Sequence, residues 1–226
     1  MVRKRSLASV ALLTLAAAVS VGFHETRATP GGASTADNKY IGAEKCKSCH
    51  GSADTGDQYA KWKGMKHSHA FETLASEEAK KLAAEKGIAD AQKADECVRC
   101  HVTAFGVPED QIKKGFDRTQ GVQCETCHGP GEQHMKARFA AAAKSDAAAA
   151  AIPAGEIVTL PPMTVCVECH NEKSPSYKPF CYHEFNAQIR HLNPKKARTA
   201  IEIGTCTCEK CANGCPESHE ALKQIK

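Results

Sequence analysis

Apolar and polar positions follow no steady period along most of this chain, and the few patterned stretches stand well apart. The first is a block. Residues 7–22 are uncharged and mostly apolar, and Arg3, Lys4 and Arg5 precede them. A basic cluster followed by a short apolar run that ends in small residues is the pattern of an export signal, and a bilayer crossing would need about 20 apolar residues. The pattern therefore predicts a signal peptide at 1–28, cleaved after Ala28. The mature domain is 29–226, periplasmic or extracellular, with no membrane span after processing. The second stretch, 57–85, is rich in helix formers with Trp62, Phe71 and Leu74 as apolar anchors, which predicts helix. The third, 132–151, is alanine-rich: it predicts helix but offers almost nothing to a core before Pro153. Gly and Pro interrupt nearly everything else, as in GPG at 129–131 and LPP at 160–162, and no run alternates cleanly enough to predict a strand. The expected fold class is mainly α with long irregular loops and few or no strands. Such loops need something to fix them.

Composition sharpens that need. The 226 residues include 13 Cys and 11 His but only 1 Trp, 7 Phe and 4 Tyr. Aromatic side chains supply much of an ordinary core, so something else is expected to fill this interior. Loss of 1–28 removes four basic residues and one acidic residue, taking the net charge from +4 to +1. Its carriers are scattered, which gives no support to a nucleic-acid groove. Cysteine at this density excludes an ordinary cytosolic enzyme and leaves disulfides, metal sites or covalent cofactors.

The cysteines are not randomly placed. Cys46-Lys-Ser-Cys49-His50, Cys97-Val-Arg-Cys100-His101, Cys124-Glu-Thr-Cys127-His128 and Cys166-Val-Glu-Cys169-His170 are four copies of C-x-x-C-H. Two thiols at i and i+3 of a helical turn lie on one side of the backbone, where both can form thioethers to the vinyl groups of one macrocycle. The adjacent His then faces the iron as its proximal ligand, and the pattern is the attachment signature of c-type haem. A redox disulfide or a zinc site would not require His after every second Cys. Four covalent haems leave about 50 mature residues for each, so the polypeptide becomes a wrapping around porphyrin.

Six further His are candidates for the opposite face of each iron: His67, His69, His134, His183, His191 and His219. Met65, Met135 and Met163 are the alternatives. The surplus of imidazole favours bis-histidine ligation and low reduction potentials.

The stretches WKGMKHSHAFETL at 62–74, CVRCHVTAFG at 97–106 and GVQCETCHGPG at 121–131 resemble the tetrahaem cytochrome c-554 family. The similarity runs over roughly 40–192 with all four motifs in order. The family's best-known member accepts electrons from hydroxylamine oxidoreductase in ammonia-oxidising bacteria. The resemblance implies that each distal His comes from a distant part of the chain. It pairs His134 with His50, His67 with His128, and His191 (with His183 second) with His170. It implies no protein ligand opposite His101, although His69, His183 and His219 are to spare here.

Cys181, Cys206, Cys208, Cys211 and Cys215 belong to no haem motif, and 198–226 reads as a Cys-rich C-terminal extension of unknown role. Disulfides, or a small metal site that includes His219, are the alternatives for them. The functional expectation is an exported tetrahaem cytochrome carrying single electrons between redox protein donors and acceptors, in a respiratory or nitrogen-oxide pathway. Reduction of a small nitrogen compound at an open second haem, and assembly into a polymeric filament, are the alternatives.

Overall fold

The computed structural model describes residues 38–144, 152, 155–178 and 182–195. The signal peptide expected at 1–28, the extension at 198–226, and Cys181, Cys206, Cys208, Cys211, Cys215 and His219 lie outside the described residues, as does the side chain of His183. The described elements are helical: α1 (Ala43–His50), α2 (Gln58–Lys63), α3 (Ala70–Thr73), α4 (Glu77–Glu85), α5 (Asp95–His101), α6 (Cys124–His128), α7 (Glu132–Ala142), α8 (Met163–Val167) and α9 (Tyr182–Ile189). Short 3-10 turns and irregular loops join them. Among the described residues there is no strand, and Tyr40 and Ile112 form an isolated parallel bridge. The architecture is the mainly α, loop-rich one that the sequence predicts. No described helix is long and apolar enough to cross a membrane.

The single helix expected over 57–85 is instead broken into α2, a 3-10 turn at Lys66–His69, α3 and α4. Serine hydroxyls account for both breaks. The Ser68 hydroxyl bonds to the carbonyls of Lys63 and Met65 at 2.8 Å each, competing with the helical ladder. Ser76 is the N-cap of α4 and accepts from the Ala79 N–H at 3.1 Å. In the alanine-rich stretch, α7 ends at Ala142, and 145–151 lie outside the described residues.

The side-chain core is thin. Among the described residues it comprises three separate clusters, centred on Tyr40 with Ala104 and Val107, on Leu74 with Ala83 and Ala91, and on Val167. Five of the twelve buried apolar residues are alanine, so apolar burial by side chains alone supplies little.

Polar contacts do much of the positioning instead. The Glu125 side chain on α6 is 1% exposed and accepts from the backbone N–H groups of Ile41 (2.9 Å), Gly42 (2.7 Å) and Gly131 (2.7 Å). Its neighbour Gln123 accepts from Ala43 N–H at 2.8 Å. The donors at 41–43 lie at the start of α1, whose N-cap Gly42 has no capping side chain of its own, and Gly131 is the N-cap of α7. Thr103, just beyond α5, hydrogen-bonds Thr126 of α6 through the two hydroxyls at 2.7 Å. The spacer residues Glu125 and Thr126 of the third motif thus tie it to the first and second.

Candidate metal centres

Three of the four C-x-x-C-H motifs end their helix on the His: His50 closes α1, His101 closes α5 and His128 closes α6. In the fourth, α8 stops at Val167, but the His170 N–H still bonds the Cys166 carbonyl at 2.9 Å, so the same turn is made. Each motif therefore presents two thiols and an imidazole from one helical turn. The eight motif cysteines are all outside disulfides. The Cys46 thiol lies beside that of Cys124, and the Cys100 thiol beside that of Cys169, so the first motif neighbours the third and the second neighbours the fourth. In the second couple the neighbouring thiol holds Cys100 down at about 7 and pushes Cys169 up.

The imidazoles meet in pairs. The ring centres of His50 and His134 are 6.2 Å apart, those of His67 and His170 6.0 Å, and those of His128 and His191 5.9 Å. Each pair joins one motif His to one His from outside the motifs. A metal bonded at about 2 Å to one nitrogen of each ring would hold the two ring centres about 6 Å apart. The observed spacing therefore fits one iron between each pair.

His134 lies opposite His50, the arrangement that the resemblance implies. The other two pairings are exchanged: His67 faces His170 rather than His128, and His191 faces His128 rather than His170. The backbone explains the exchange. The His67 carbonyl accepts from Val122 N–H at 2.9 Å, which anchors it ahead of α6, whereas His128 closes that helix. The five-residue helix adds about 7.5 Å between them.

Protonation states suit ligation. Burial pushes His128 and His170 down to about 4, and also lowers His67. All three rings are therefore neutral at physiological pH, the form that binds metal. Backbone carbonyls only accept, so His128 donates Nδ1–H to Val158 (2.5 Å) and His101 donates to Ala70 (2.6 Å). That tautomer leaves Nε2 of each ring as the free lone pair.

His101 has no ring facing it among the described residues. His69 is turned away: its Nδ1 meets Glu72 at 2.9 Å and its Nε2 meets the Lys63 carbonyl at 3.2 Å. Both nitrogens thus face local acceptors rather than an opposing imidazole.

Two residues beside the first pair were not singled out by sequence. Glu156 contacts His134 Nδ1 at 2.7 Å through one oxygen and Arg138 at 2.6 Å through the other. Glu156 is an isolated acid in a Gly/Pro-punctuated loop, with no spacing relation to either partner. Arg138 is four residues beyond His134 on α7, a spacing that does place the two on one helix face. Its Nε is a buried donor without a partner among the described residues, and so is available to an anionic group such as a haem carboxylate.

The chain is similar to known proteins over part of its length. Residues 45–129 match the family described as Cytochrome c554 and c-prime. Over 107 residues the chain is 36% identical to cytochrome c-554 of Nitrosomonas europaea, an alignment covering 46% of this chain and 43% of that protein. The chain thus spans less than half the length of that curated relative. The solved reduced state of cytochrome c554 from Nitrosomonas europaea aligns with 68% of this chain and 79% of its own, with 28% identity and a TM-score of 0.45.

Proposed function

We propose that this chain, whose residues 45–129 match the cytochrome c554 family, is an exported tetrahaem c-type cytochrome that passes single electrons between redox proteins. One observation carries the reading: three imidazole pairs, each of one motif and one non-motif His, stand 5.9 to 6.2 Å apart. In this reading Cys46 and Cys49, Cys97 and Cys100, Cys124 and Cys127, and Cys166 and Cys169 hold four haems by thioethers. His50, His101, His128 and His170 are the proximal ligands. His134, His191 and His67 lie opposite His50, His128 and His170.

Bound haem supplies one-electron chemistry, and the chain supplies ligation, spacing and shelter from water. Burial keeps His67, His128 and His170 neutral, and Val158 and Ala70 hold His128 and His101 in the tautomer that leaves Nε2 free. Where two imidazoles face each other, the chain would hold an iron from both sides, and little rearrangement would accompany each electron. The thiol contacts between motifs one and three and between two and four support two close couples of haems as the route of current.

The test is mass spectrometry of protein matured in a host that attaches c-type haem, followed by electron paramagnetic resonance of the oxidised form. The expected result is the processed chain plus four haems with at least three low-spin irons. The bare chain mass would overturn the reading.

A second reading rests on the engagement of His69 with Glu72 and Lys63. It leaves the iron at His101 able to take a small ligand, and so able to serve reduction of a small nitrogen compound. One high-spin iron in four that shifts on adding nitric oxide supports it. Four low-spin irons exclude it.

A further inference from the structure

The imidazoles of the candidate centres are not held alike. His101, His128 and His191 direct Nδ1 at backbone carbonyls, those of Ala70, Val158 and Ile189. His134 directs its Nδ1 at a carboxylate, Glu156, at 2.7 Å. The contact is sheltered, with the His134 side chain 14% exposed and that of Glu156 9%. The carboxylate is itself fixed, because Arg138 takes its second oxygen at 2.6 Å. His134 and Arg138 are neighbours on one face of α7, so the helix grips one loop carboxylate with two side chains.

We propose that Glu156 is a positioning residue that makes His134 a stronger iron donor, lowers the reduction potential of the haem at Cys46 and Cys49, and is opposed in this by Arg138. The inference rests on the haem reading above. A carboxylate accepts a stronger hydrogen bond from Nδ1–H than a neutral carbonyl does. Electron density pushed into the ring raises the basicity of Nε2, and a more basic ligand favours the ferric state. The shelter of the site keeps water and salt from screening the effect. The Arg138 charge acts the other way, both directly and by drawing the carboxylate towards itself.

The test is potentiometric titration of the full haem-loaded protein, read optically and by electron paramagnetic resonance at poised potentials. E156Q is expected to raise one of the four midpoint potentials, to change the g-values of a single low-spin signal, and to leave the other potentials in place. R138Q is expected to lower that same potential. Opposite signs from neighbouring residues separate positioning from general loosening, which would move both variants together. Four unchanged midpoints in E156Q, or shifts of one sign in both variants, overturn the proposal while leaving the haem reading intact. Should E156Q fail to mature, R138Q decides alone: a lowered midpoint supports the proposal, and an unchanged or raised one overturns it. A parent protein without haem overturns both readings.

Discussion

Replacing Glu125 by Gln tests whether polar ties rather than apolar burial hold the first and third motifs together. Both carboxylate oxygens face only N–H donors. One oxygen accepts from Ile41 and Gly131 at 2.9 and 2.7 Å, and the other accepts from Gly42 at 2.7 Å and from Ile41 at 3.1 Å. An amide keeps the shape but sets an NH2 donor against a buried N–H in either orientation. Leaving one buried donor unpaired costs about 1–3 kcal/mol, and bonds to a charged acceptor lie in the upper part of that range. Burial raises the Glu125 carboxyl despite its three backbone donors, so desolvation takes back part of what those bonds supply. The expected net loss for E125Q is therefore about 2 kcal/mol rather than the sum of the individual bonds. Denaturant unfolding of the haem-loaded protein, followed by far-ultraviolet circular dichroism at pH 7, measures it, with an unchanged m-value confirming that the same transition is compared. A variant within about 0.5 kcal/mol of the parent would refute the argument.

Three further outcomes are expected. H67A keeps the full haem content but converts one low-spin iron to five-coordinate, and an unchanged low-spin signal in electron paramagnetic resonance would remove His67 from the centre facing His170. Gly121 has φ +73°, and a Cβ there would sit 2.5 Å from the His67 carbonyl oxygen, so G121A should cost about 2 kcal/mol or more in thermal unfolding and disturb the same centre. Tyr59 donates to Glu44 at 2.5 Å, and that bond, ahead of burial, pushes the phenol up from 10.0 to about 12. The bond's contribution to stability is complete below the unfolded value of 10 and is lost as pH rises through about 12. Ring-carbon NMR of the tyrosines should show one late titration that E44Q returns towards 10.

What the sequence made legible follows from the range of each interaction. The four motifs are readable because two thiols and a His within five residues are placed by one helical turn, whatever surrounds them. His134 and His67 are candidates by type, but the imidazole that each meets is fixed by long-range contacts. The bond from Val122 to His67 and that from His128 to Val158 decide the pairing, and neither has a spacing signature. The break in 57–85 turns on Ser68 and Ser76, residues that helix propensity treats as weak penalties and that here act through specific hydrogen bonds. Glu125 and Glu156 escaped notice for the same reason. One occupies a spacer position of a motif whose chemistry ignores spacers, and the other is a lone acid in a loop.

Three of the four centres have one half written within a single turn and the other half delivered from far along the chain. His50, His101 and His128 close the very helices that carry their thiols, whereas His134, His67 and His191 arrive only when remote segments have docked. Loading and completion are therefore separable events. A chain that has taken on all its pigment but not finished folding would still lack its sixth ligands, which makes the spin state of the metal a built-in gauge of how far assembly has gone.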